Sequence, residues 1–206
     1  MLRRAFLLRD VVSVAALCYL AACTPDTPQH FTRLQIPAFV LASNDVSGCV
    51  VSADYRHPTN ALHVHRGDEQ TTLALNDGES GSQMLSAIAT NRVFCLTRKN
   101  LTELPVSGTA QYAVGYDFAR VLEVELPCRG GALCDAAMRP LFTMDDLQIC
   151  GMDSWVADLL SVTPDGSVLI VNRVIPEKTK DGIKRKIVKE AYKIETRVFT
   201  PVMTGE

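Results

Sequence analysis

The chain has 206 residues, 21 basic and 23 acidic, for a net charge of −2. That balance lacks the basic surface that nucleic acid requires, and mild acidity is a solubility property that names no partner. The length suits one domain with room for a sizeable core.

Arg3, Arg4 and Arg9 head the sequence, opposed only by Asp10. Val11 to Ala22 is apolar apart from Ser13 and the Tyr19 hydroxyl. Cys23 then opens a polar, proline-bearing stretch, Thr24-Pro25-Asp26-Thr27-Pro28-Gln29. A basic head, a short apolar segment and small residues before a break form the layout of a secretory signal. A spanning helix needs about 20 apolar residues, and this run is shorter.

The break reads Leu20-Ala21-Ala22-Cys23. It resembles the lipobox of bacterial lipoproteins, Leu-[Ala/Ser]-[Gly/Ala]-Cys, at every position. The resemblance implies diacylglycerol on the Cys23 sulfur, cleavage before that cysteine and acylation of the new amine, with palmitate among the expected labels. One acyl chain binds a membrane marginally, whereas two or more hold stably. Thr24, not aspartate, follows the cysteine, which resembles the outer-membrane class. The expected place is therefore the cell envelope, at the outer membrane facing the periplasm, in preference to the inner membrane. Arg3-Arg4-Ala5-Phe6-Leu7 also resembles the core of a twin-arginine export signal, without the flanking serine and lysine of the fuller motif. Both export routes stay open.

The expected organisation is a signal peptide over 1–22, a tether over 23–30 and a single β-rich domain over 31–206. Without residues 1–22, which hold three arginines and one aspartate, 18 basic and 22 acidic residues remain, a net charge of −4.

Along the domain, Phe39-Val40-Leu41-Ala42 is a short apolar run closed by Asn44-Asp45, and Gly48 to Val51 follows. Leu62-His63-Val64-His65 alternates, as does Thr71 to Leu75 before the Asn76-Asp77-Gly78 turn signal. Arg92 to Thr97, Tyr112 to Tyr116 and Arg120 to Leu126 read as strands by residue type and alternation. Gln83 to Thr90 and Cys134 to Met138 are short helical spots. Trp155 to Val162 is strand-like, Thr163-Pro164-Asp165-Gly166 is a turn, and Val168 to Val174 is a strong strand. A charged loop with Asp181-Gly182 leads to Lys189–Phe199, where Tyr192, Ile194, Thr196 and Val198 share one parity. A basic amphipathic helix over Ile183–Ile194 competes there. The continued parity and the Asp181-Gly182 turn favour a twisted hairpin with a solvated, lysine-rich face.

Residues 155–199, as strand, turn, strand, loop and strand, resemble one blade of a β-propeller, and residues 40–51 and 86–97 have a similar outline. A blade spacing of 40–50 residues gives room for four blades at most. The expected fold is mainly antiparallel β, either a small or partial β-propeller-like domain or a β-sandwich-like one.

Five cysteines remain after Cys18 leaves with the signal and Cys23 takes lipid. An exported compartment permits disulfides. Cys128 and Cys134 flank a short loop with Gly130 and Gly131, and a bridge there would add about 2 kcal/mol. Cys150 competes as a partner. Cys49 and Cys95, inside apolar runs, read as small buried hydrophobes.

Catalytic motifs are scarce. There is no phosphate-cradling Gly-Lys-Ser/Thr loop and no His-Glu-x-x-His helix, and Gly78-Glu79-Ser80-Gly81-Ser82 fails the nucleophile elbow at its last position. His63 and His65, one residue apart, share a face if they lie on a strand. With His57 from the preceding turn they make a candidate zinc or copper site. Trp155 reads as a core anchor. The expected function is a non-enzymatic, membrane-anchored binding or scaffold domain, partnered by the membrane and by other envelope proteins, with no nucleic acid and no cofactor beyond the lipid at Cys23. The alternative is a metal-binding envelope protein using the histidines.

Overall fold

The computed structural model describes residues 39–54, 60–99 and 118–202. Cys23, His57, the leader, the tether and the Tyr112–Tyr116 segment lie outside these residues. The described residues form three four-stranded antiparallel sheets, each built from strands consecutive in sequence. The first sheet holds β1 (Phe39–Asn44), β2 (Cys49–Asp54), β3 (Ala61–Arg66) and β4 (Glu69–Ala74). The second holds β5 (Glu79–Ser86), β6 (Arg92–Lys99), β7 (Phe118–Glu125) and β8 (Ala137–Thr143). The third holds β9 (Trp155–Val162), β10 (Val168–Thr179), β11 (Gly182–Lys193) and β12 (Val198–Pro201).

Each sheet is a meander, and β5 packs against β1 on one side and β9 on the other. Successive propeller blades have this order. The face-to-face packing of the first sheet on the second is also that of a sandwich. The mainly antiparallel β fold expected from alternation is the fold observed.

Alternation decides which side chains meet. Val40, Ala42, Val51, Leu62 and Val64 point from the first sheet into a core shared with Val93, Leu122, Val124 and Leu126 of the second. Burying each such side chain is worth about 1.5–3 kcal/mol. Cys49 and Cys95 belong to this core, and burial pushes the Cys95 thiol well above its ordinary value. Gly81 is the point of closest approach. A Cβ there would meet Ala53 Cβ at 2.9 Å, Leu62 Cδ2 at 3.1 Å and Cys95 Sγ at 3.2 Å. Gly81→Ala is expected to cost about 1–3 kcal/mol by overpacking. Urea unfolding checks this, and an unchanged midpoint would remove Gly81 from the sheet contact.

The second and third sheets meet through aromatic rings. Phe142 of β8 stands edge-on to Tyr192 of β11 at 4.7 Å and to Phe199 of β12 at 5.3 Å. Such edge-to-face pairs add to the burial term. At the other end of the first sheet, the Asn44 side chain donates to the Ala87 and Thr90 carbonyls at 3.2 and 2.8 Å. That ties the β1–β2 turn to the turn after β5.

Four sequence expectations need correction. Gln83 to Ser86 is not helical but ends β5, pairing with Leu96, Cys95, Phe94 and Val93. Its residue types favour helix, yet β6 satisfies its backbone, and tertiary pairing overrides propensity. The rest of that spot is turn and irregular backbone. Cys134–Met138 contains only the end of a one-turn 3-10 segment, Leu133–Asp135, before β8 begins. The charged stretch after Val174 is not a loop: β10 and β11 pair without interruption from Val168↔Lys193 to Thr179↔Gly182. This is the favoured hairpin rather than the helix. Finally, Lys189–Phe199 is not one strand. The chain turns at 194–197, with Arg197 at φ 55°, and β12 folds back so that Phe199 pairs with Tyr192.

The Thr163–Ser167 turn forms as expected. The Asp165 carboxylate accepts from the Thr163 hydroxyl at 2.6 Å, from Ser167 N–H at 3.1 Å and from the Ser167 hydroxyl at 2.9 Å. The Thr163 hydroxyl leads in holding Asp165 down to about 2. A depressed carboxyl stabilises the turn above its unfolded value and ceases to do so as pH falls through its folded one. An NMR titration should find the Asp165 midpoint near about 2, and a midpoint at the ordinary 3.8 would contradict the hydrogen-bonded turn.

Candidate functional site

The first strands of the three sheets border an open cleft of about 510 Å³. Val40 and Leu41 line it from β1, Ser82 to Leu85 from β5, and Leu159 from β9. The polar side chains that β5 brings to the cleft, Ser82 and Gln83, are already engaged. The Ser82 hydroxyl donates to Leu96 O at 3.1 Å and accepts from Arg98 Nε at 3.2 Å. The Gln83 amide accepts from Leu159 N–H at 2.7 Å and donates to the Asp158 carboxylate at 3.1 Å. What the cleft offers a visitor is polar and apolar wall in nearly equal parts, with Leu41 55% exposed. No nucleophile and base face one another across this lining.

His63 and His65 lie on β3 and share a face, as strand parity requires. Their ring centroids are 6.3 Å apart. His65 Nε2 meets the Ser52 hydroxyl at 3.2 Å, and His63 Nδ1 meets the Gln70 amide at 3.1 Å. These partners come from β2 and β4, so the sheet orients both rings. The pair could supply two ligands, and the third, His57, lies outside the described residues. Among the described residues no group of three or more His, Cys, Asp or Glu is placed to hold a metal ion.

Cys128, Cys134 and Cys150 are exposed free thiols, so the Cys128–Cys134 bridge is not formed in this structure. The loop is closed instead by hydrogen bonds. Gly131 N–H donates to Cys128 O at 2.8 Å, and the Arg66 guanidinium donates to the carbonyls of Pro127, Cys128 and Gly131. Trp155 is 5% exposed, with the Arg185 guanidinium 5.1 Å above its ring.

Sequence reasoning missed the buried charges. Glu79, 1% exposed, takes a two-pronged bond from Arg120, with Nε and Nη2 each 2.8 Å from a carboxylate oxygen. Asn76 N–H donates to the same carboxylate at 3.0 Å, and the Thr97 hydroxyl also donates to it. Glu123, 2% exposed, lies between Arg139 at 2.7 Å and Arg92 at 3.4 Å. Arg173, 7% exposed, donates to Leu147 O at 2.7 Å and the Ser154 hydroxyl at 2.9 Å, pairs with Glu190 at 3.3 Å and stacks 4.6 Å from Phe199. Arg98 donates to Ala157 O at 2.5 Å, joining the second sheet to the third. Charge alternation along Arg120 to Glu125 hinted at cross-strand pairing, but the partner of Glu79 is 41 residues away. These groups face partners rather than an open site, so they lock the sheets.

Comparison with protein-family models, with curated proteins and with solved structures finds no match to this chain.

Proposed function

We propose that the protein is a bacterial envelope lipoprotein, held on a membrane by lipid at Cys23, whose β domain binds or scaffolds other envelope components without chemistry of its own. The observation that carries this reading is Leu20-Ala21-Ala22-Cys23 behind a basic head and a short apolar run. The open cleft beside β1, β5 and β9 is compatible with a binding role, and the inward pairing of the buried charges fits a scaffold better than a catalyst. Thr24 favours the outer membrane, facing the periplasm.

Cys23→Ser is expected to abolish palmitate labelling and to release the protein from the membrane fraction, because a chain without acyl groups has no tether. Labelling and flotation of the variant beside the wild type check both parts. Unchanged labelling in the variant would sink the lipoprotein reading.

A further inference from the structure

The outer face of the third sheet has an uneven charge. Cross-strand partners share a face, and alternate residues along a strand share it too. On β11 this places Ile183, Arg185, Ile187, Lys189 and Lys193 together, and Lys178 joins them from β10 as the partner of Ile183. Val198, partner of Lys193, extends the face onto β12. Ile183 is 60%, Ile187 50% and Val198 48% exposed. The two acids of β10 and β11 lie on the opposite face. Glu177 is paired there with Lys186 at 3.0 Å and Glu190 with Arg173 at 3.3 Å. The outer face of β10–β12 therefore carries four cations, and the acid beside it, Asp158 of β9, is held by the Asn172 and Gln83 amides at 3.4 and 3.1 Å, in a chain whose net charge is negative.

We propose that this face docks on an anionic phospholipid surface, with Ile183 and Ile187 at the headgroup boundary and Lys178, Arg185, Lys189 and Lys193 against the phosphates. The proposal rests on the lipid-anchor reading, which puts the domain beside a bilayer. The chain from Cys23 to Phe39 spans at most about 55 Å, so the anchor keeps the domain within reach of the bilayer. Exposed apolar side chains flanked by lysine and arginine suit an interface of headgroups and acyl chains. Anionic lipid attracts each nearby cation within about a Debye length. A protein partner would have to supply matching acids and an apolar surface, which nothing on this face specifies.

Trp155 is the sole tryptophan and lies under Arg185, so its emission reports on this face. The test uses the full lipidated chain on vesicles of phosphatidylcholine, alone or with phosphatidylglycerol, whose acyl chains carry bromine close to the headgroup. Flotation reads the anchor separately. The chain should float with both vesicles, but Trp155 should be quenched only on the anionic ones, and high salt should restore its emission. Lys189→Glu with Lys193→Glu leaves Arg185 in place and should abolish the quenching without loss of flotation. A chain that floats yet shows no quenching on either vesicle, or equal quenching on both, overturns the docking proposal while the anchor stands. Quenching that persists in the double variant overturns it as well. A chain that fails to float overturns the anchor reading instead.

Discussion

Glu79→Ala is expected to destabilise the domain by about 3–5 kcal/mol, the cost of breaking a buried ion pair on one side. The carboxylate is 1% exposed and takes both prongs of Arg120, itself 16% exposed on its side chain. Removing it leaves the guanidinium without its counter-charge between β5 and β7. It also orphans Asn76 N–H, which closes the turn leading into β5. The Thr97 hydroxyl is left with one acceptor, Arg120 O at 3.1 Å. An unmade buried hydrogen bond costs more than a made one contributes, so these losses add to the charge term. Replacing both partners by apolar residues, Glu79→Met with Arg120→Leu, should cost less than Glu79→Ala alone, since no charge is then left stranded. Urea unfolding of the single and double variants checks this. A single variant within about 1 kcal/mol of wild type would show that the pair is solvated rather than buried.

Arg173→Ala is expected to cost about 3–4 kcal/mol on the same principle. This guanidinium reaches in four directions at once: to Leu147 O, to the Ser154 hydroxyl, to Glu190 and to the face of Phe199. It thereby ties the 3-10 segment Asp145–Leu147 to β10, β11 and β12. Arg173→Lys should recover less than half of the loss, because a point charge cannot fork to two acceptors and stack on a ring together. Thermal unfolding of the two variants measures this. A lysine variant as stable as wild type would show that charge alone, without the fork, suffices at this position.

The strands with local signals were legible in the sequence. Leu62–His65, Arg120–Leu126 and Val168–Val174 alternate or run apolar over their whole length, and each is a strand. The shared face of His63 and His65 followed from parity alone. The rest depended on neighbours distant in the chain. Gln83–Ser86 carries helix-favouring residues, and pairing with β6 makes it a strand. The β10–β11 arm looked like a loop because lysines and acids alternate along it. Outside a core, period-two alternation of charge reads the same for an exposed strand as for a polar loop. The turn at 194–197 was hidden because Tyr192, Ile194, Thr196 and Val198 kept one parity across it, and a tight turn can interrupt a pattern without altering it. Glu79, Arg98 and Arg173 each sit among residues that say nothing of their partners, so a buried ion pair could not be told from a solvated charge. The proposed anchor rests on a contiguous motif, Leu20-Ala21-Ala22-Cys23, and so needs no distant partner to be read.

Lipid on Cys23 is proposed to hold this domain to the membrane. The intact mass of the protein purified from membranes tests it most directly, together with the N-terminal peptide from its digest. The expected chain begins at Cys23, with a mass increment of a diacylglycerol, with or without a third acyl chain on the new amine. A chain that begins elsewhere, or an N-terminal peptide containing an unmodified Cys23, would contradict it.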